Sequence, residues 1–260
     1  MKTRFFLLAF VMLASVSSVC YGQQKPRTKT FKVKDVSFTM VYVAGGDAVI
    51  GRTSEQDSYS QINNDPAQVT LDSYWIGQTE VTQELWEAVM GDNPSENKDN
   101  PKQPVTNVSW EDCNVFLTRL SGLTGERFRM PTEAEWEYAA RGGMYSQYYK
   151  YSGSNNLDDV AWCGKEKHPV ATKKPNELGL YDMTGNASEW CKNGTYKEVD
   201  YLPGGKNPQG RDAAYQGYAI IRDFFCSCVA FRYVGDIHYG TSNNGLRIAR
   251  SVKLKNIEED

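Results

Sequence analysis

Histidine is nearly absent from this 260-residue chain, where His168 and His238 are the only two. A three-histidine iron or zinc centre therefore cannot be assembled, which excludes much metallo-hydrolase and non-haem iron chemistry. C-x-x-C pairs and zinc-finger spacings are also missing. No basic cluster marks a nucleic-acid surface, and the net charge is only −3. Beyond the N-terminus no run approaches the about 18 apolar residues that a spanning helix needs.

What is present begins with an export signal. Lys2 and Arg4 precede an apolar run over residues 5–13, and Cys20-Tyr21-Gly22 places small residues where a signal peptidase cuts. Cleavage after Gly22 is expected, which makes the mature protein periplasmic, cell-surface or secreted. A lipid anchor on Cys20 is the rival reading, and Val19 before it argues against that. Residues 23–35 read as a flexible lead-in, 36–253 as one domain and 254–260 as a tail. Without Cys20 five cysteines remain, so at least one thiol is unpaired within the chain.

Alternation around Gly45-Gly46 predicts a β-hairpin in "VSFTMVYVAGGDAVIGRT". "VTLDSYWIGQTEVT" is strand-like and leads into a helix capped by Thr82, with Leu85, Trp86 and Val89 inward. Ser109 and Asp112 have capping-box spacing before a helix whose inner face carries Trp110, Cys113, Phe116, Leu117 and Leu120. Thr132 and Glu135 repeat the device in "PTEAEWEYAARGG". Cys113 is expected as a buried small hydrophobe. After residue 143 only short strands and turns are indicated, with "YAIIRDFFCSCVAF" strand-like and "LRIARSVKL" a last strand. The pattern predicts one α+β domain.

The motifs "PVTNVSWEDCNVFLTRLSGLTGERFRMPTEAEWEYAARGG", "KKPNELGLYDMTGNASEW" and "NNGLRIAR" resemble the formylglycine-generating enzyme (sulfatase-modifying factor) family. Their order and spacing match over residues 38–250. The resemblance implies a variant of the C-type-lectin fold with little regular secondary structure. It also implies, for the family's oxidases, copper held by two cysteines and oxygen as oxidant; other relatives are non-catalytic.

Counting back from Asn243-Asn244-Gly245-Leu246-Arg247, the copper cysteines of such oxidases fall on Ala219 and Phe224. Copper is therefore not expected, and no catalytic residue is assigned. Cys226 and Cys228 are the remaining candidates for a rearranged site. On a strand, residues i and i+2 share a face with Cα atoms about 6.6 Å apart, near the upper limit for a disulfide. Burial as filling, a bond from one of them to Cys191 or Cys163, and a soft-metal clip all stay open, with filling favoured.

The resemblance further implies a calcium site at "YDMTGNASEW", with carboxylates from Asp182 and Glu189 and carbonyls from Gly185 and Ala187. Calcium takes six to eight hard oxygens, and a Gly-containing loop can supply several. Ser188 replaces a tryptophan usual in the family. The plainer reading is a turn in which Asp182 and Asn186 bond the backbone. Asn-x-Ser/Thr triplets at Asn107, Asn186 and Asn193 are read as incidental.

Residues 223–244 are read as a binding surface for a protein or glycan, using Phe225, Ser227, Tyr233, His238, Tyr239 and Thr241. Some relatives carry a region here that diversity-generating retroelements rewrite, limited to residues encoded by NNC or NNT codons. The stretch contains no Lys, Glu, Gln, Trp or Met, the types such codons cannot encode. Two function classes follow: an exported, non-catalytic binding protein, or a formylglycine-generating oxidase with a rearranged Cys226/Cys228 site.

Overall fold

The computed structural model describes residues 25–56, 65–194, 204–209, 211–212, 218–222 and 228–252. The signal, Cys20, Phe225, Cys226, Ser227 and the tail lie outside them. Strands β1 (Thr28–Val33), β2 (Val36–Val43), β5 (Tyr74–Gly77) and β12 (Ala249–Ser251) form a sheet in the order β1-β2-β5-β12. A second is built from β10 (Arg232–Asp236), β9 (Tyr218–Arg222), β6 (Ser188–Gly194) and β11 (Asn244–Leu246), with β8 (Arg211–Asp212) against β6. The third is β3 (Gly46–Ile50), β4 (Ala67–Leu71) and β7 (Gly205–Lys206).

The first two sheets contribute side chains to two cores, and strand alternation sorts them. Met40, Trp75, Trp190, Ile221 and Ile237 join the core beneath helices α1 (Gln83–Met90) and α2 (Trp110–Thr124). Val41, Val43, Tyr74, Ile76 and Cys191 join the other core, around α3 (Glu133–Ala140). The three caps form as predicted: Thr82 accepts from Leu85, and both capping boxes close, Ser109 with Asp112 and Thr132 with Glu135. Trp110, Cys113, Phe116, Leu117 and Leu120 are all buried.

Four expectations are corrected. The lead-in, read as flexible, carries a strand where described: β1 pairs with β2 over its whole length, and Phe31 stacks on Phe38 at 5.4 Å and meets Phe128 edge-on at 5.3 Å. The hairpin around Gly45 does not form, since β2 pairs with β1 and β5 while β3 pairs with β4. At Gly45 the chain passes so close to the next strand pair that a Cβ would lie 2.2 Å from the Leu71 carbonyl oxygen; a larger residue has no room there. The last strand is two, since β11 runs parallel to β6 and β12 pairs with β5. After residue 143 the described chain is mostly turns, with a short helix α4 (Leu157–Val160) where "DDVAWCG" suggested a strand.

Candidate functional site

Helix α3 is buried along its entire length, carboxylates included. Such burial requires partners, because an unpaired charge in a low-dielectric core is strongly disfavoured. Glu137 has them. One of its oxygens accepts from the Gly51 amide at 2.7 Å and from Arg141 Nε at 2.8 Å, and the other from Arg222. Burial pushes this carboxyl up, but Arg222 and Arg141 outweigh it and hold it below the usual carboxylate range. Glu133 pairs with Arg232 at 3.1 Å, and its amide donates to Asn193 Oδ1.

These pairs fasten the ends of the connection between β9 and β10. Arg222 and Arg232 face each other in the antiparallel register. Arg222 Nη1 also donates to the carbonyls of Ala230 and Phe231 at 3.1 and 3.2 Å. Buried Gln56 adds a third tie, accepting from the Ala230 amide and donating to the carbonyls of Tyr149 and Lys150.

Residue 232 points inward, so residue 233 points the other way. Tyr233 stands opposite Ile221, which stands opposite Trp190. The tyrosine thus continues an apolar row to the sheet edge and is 46% exposed there. Beyond β10 the chain turns over the start of α2. Tyr239 is 69% exposed, and His238 Nδ1 lies 3.0 Å from Glu111 Oε2; this hydrogen bond raises the imidazole pKa. Thr241 is exposed, and its carbonyl accepts the amides of Asn107 and Asn244. Gly240 makes the approach possible: a Cβ there would lie 2.5 Å from the Asn107 carbonyl carbon. Tyr233, His238, Tyr239 and Thr241 are therefore side chains displayed from one anchored stretch. Glu111 was missed from sequence because it reads as an ordinary first-turn acid of α2.

The thiols are placed differently. Cys113, Cys191 and Cys228 are free and buried, and burial raises the pKa of each. Cys228 is not on a strand; β9 ends at Arg222 and the chain turns at residues 229–230. Its Sγ faces the Gln56 carbonyl at 3.8 Å. Bonds from Cys228, and any bond to Cys191, are thereby excluded. Cys163 is disulfide-bonded, and its partner lies outside the described residues.

The "YDMTGNASEW" loop carries a second buried charge cluster. Glu189 is wholly enclosed: Arg247 Nη2 and Nε donate to one oxygen at 2.7 and 3.0 Å. Arg247 Nε and Trp136 Nε1 donate to the other at 3.0 and 2.6 Å. Both oxygens of Glu189 are therefore engaged, by a guanidinium and an indole. Asp182 Oδ2 accepts the Ala171 amide at 2.7 Å, while its Oδ1 is buried without a partner. Asn186 bonds the backbone of His168 through both side-chain ends. Next to them is Glu80, which sequence reasoning missed because it lies far away in the chain. Its Oε1 accepts the Ala187 amide at 3.1 Å. Burial, then the charge of Asp182, pushes its carboxyl well up. Of the calcium set drawn from sequence, Asp182 with Gly185, Ala187 and Glu189, Glu189 is thus engaged by Arg247 and Trp136 while Asp182 keeps one buried oxygen without a partner. Asn186 and Asn193 are buried, in keeping with incidental triplets.

The sulfatase-modifying factor enzyme 1-like domain matches residues 25–252. The chain belongs to that family. It is 35% identical over 240 residues to the chaperone protein LppX of Paenibacillus barcinonensis, covering 71% of this chain and 79% of that one. It is 34% identical over 178 residues to the formylglycine-generating enzyme of Streptomyces coelicolor, covering 59% of this chain and 54% of the enzyme. Among solved structures, Treponema denticola variable protein 1 superposes with a TM-score of 0.75 at 32% identity, covering 87% of this chain and all of that one. These neighbours bear out the α+β fold of the formylglycine-generating-enzyme and C-type-lectin type expected from the motifs.

Proposed function

We propose that this family member is an exported, non-catalytic binding protein that presents Tyr233, His238, Tyr239 and Thr241 to a protein ligand. The observation that carries this reading is the contrast between the described thiols, buried or disulfide-bonded, and the displayed side chains. Copper chemistry needs accessible soft ligands, yet Ala219 and Phe224 stand at the family's cysteine positions and Cys228 is buried against Gln56. Tyrosine and histidine, by contrast, combine an apolar body with a polar tip, the character that enriches interfaces. The likeness to a chaperone protein favours a protein over a glycan. The likeness to a protein described as variable supports diversification of the segment over residues 223–244, whose composition suits adenine-directed rewriting.

Incubation of the copper-loaded protein with a sulfatase-derived cysteine peptide and oxygen tests the non-catalytic part. No mass change to formylglycine is expected; turnover lost in Cys228→Ser is the contrary result, and favours the oxidase. Sequencing the locus across isolates tests diversification. Adenine-linked substitutions at outward positions, with a nearby reverse transcriptase and template copy, are expected; uniform drift along the gene removes that origin.

A further inference from the structure

We propose that the loop over residues 144–156, with Tyr148 at its tip, is a second contact surface, one that takes an uncharged, apolar polypeptide segment of another protein. The loop reads "MYSQYYKYSGSNN", and ten of its thirteen residues are Tyr, Ser, Gly or Asn. Binding loops of antibodies have this composition: tyrosine supplies broad, amphipathic contact at little entropic cost, and the small polar residues adapt around it. Lys150 is the one charged residue of the loop, and its ammonium lies over the Tyr151 ring, 5.3 Å from the centroid. A charged segment of a partner therefore finds little counter-charge here. Tyr148 and Met144, 74% and 61% exposed, offer apolar contact instead.

The backbone separates this loop from an ordinary polar turn. Tyr148 has a φ of 57°, in the left-handed region where an aromatic side chain is strained. Such strain persists only where the surroundings enforce it, and ties on both sides of Tyr148 do so. Its amide donates to Ser146 Oγ at 3.2 Å, and the next two carbonyls, of Tyr149 and Lys150, each accept from Gln56 Nε2 at 3.1 Å. The Lys150 amide donates to Asn155 Oδ1 at 2.9 Å. The fold thus holds a tyrosine in an unfavourable backbone state while its ring stands mostly in solvent. Packing within the chain does not account for that, and contact with a partner does. The Ala230 amide donates to the same Gln56, and the Val229 amide to the Lys150 carbonyl at 3.3 Å. The loop therefore shares its anchor with the stretch that leads into β10. The two surfaces are nonetheless separate claims, and either stands if the other falls.

A phage-displayed library of random peptides, panned on the full-length protein, tests the proposal. Wild type should enrich peptides rich in apolar side chains and poor in charge, and raised salt should leave them bound. Tyr148→Asn suits the left-handed backbone, so it should melt no lower than wild type while binding the enriched peptides roughly tenfold more weakly or worse. Met144→Ser, away from the strained position, should weaken them as well. Tyr239→Ala should leave them bound, which keeps failure of the display face distinct from failure of this loop. No enrichment over bare support, enrichment of charged peptides instead, or wild-type binding by folded Tyr148→Asn and Met144→Ser proteins overturns the proposal.

Discussion

Arg232 and Tyr233 are chain neighbours on one strand with opposite fates. The arginine turns inward to Glu133, in a cluster where Arg222 and Arg232 balance Glu133 and Glu137. The tyrosine turns outward at a sheet edge, half exposed. The inner face of β9 and β10 is locked by matched charges, and the outer face carries side chains the lock does not use. A surface can change its chemistry without unfolding only if its attachment lies elsewhere, and here the attachment is α3.

The largest effect is expected from breaking the lock. Glu137→Ala takes the nearest carboxylate from Arg222, leaving it Glu133 at 3.7 Å, and leaves Arg141 only Glu55; losing one partner of a buried pair costs about 3–5 kcal/mol. Against a total of roughly 5–15 kcal/mol, urea unfolding should show a protein near the edge of folding. Titration asks the same question more gently. The Glu137 carboxyl is held low in the folded state, so its stabilisation is present above the ordinary carboxylate pKa. It is lost as pH falls through the lower, folded value. Stability should therefore decline on acidification below about pH 4.5, the unperturbed carboxylate value, and Glu137→Gln should flatten that part of the curve.

Smaller again is the cap of α3. Thr132→Ala removes one half of a closed capping box and should cost about 0.5–2 kcal/mol. On the outer face, Tyr239→Ala should change unfolding free energy by no more than about 0.5 kcal/mol while weakening ligand capture. A Tyr239 variant as destabilised as Glu137→Ala would dissolve the distinction between lock and display.

Local signals carried much of the fold. Thr82, Ser109–Asp112 and Thr132–Glu135 announce helix starts because capping chemistry is contained within four residues. The hairpin misread at Gly45 has a different origin: alternation reveals a strand but not its partner, and the partner was set by a close backbone approach to Leu71–Ser73. The charge clusters were illegible for a related reason. Glu137 and Arg222 are 85 positions apart, and Glu80 lies 106 positions from Asn186, so neither pairing leaves a local pattern. Glu189 shows the converse: its motif position suggested a metal ligand, while its contacts with Arg247 and Trp136, 58 and 53 positions away, left no local sign.

The most direct test of lock against display is a saturation library sorted for folded, protease-resistant protein. It should cover Tyr233, His238, Tyr239 and Thr241 in one arm and Arg222, Arg232, Gly235 and Gly240 in the other. The account predicts broad tolerance in the first arm and near-complete retention in the second. At Gly235 a Cβ would lie 2.5 Å from both the Trp190 ring and Ile221, and Gly240 is as tightly confined. Comparable tolerance in the two arms, or stricter retention of the outward residues, would contradict it.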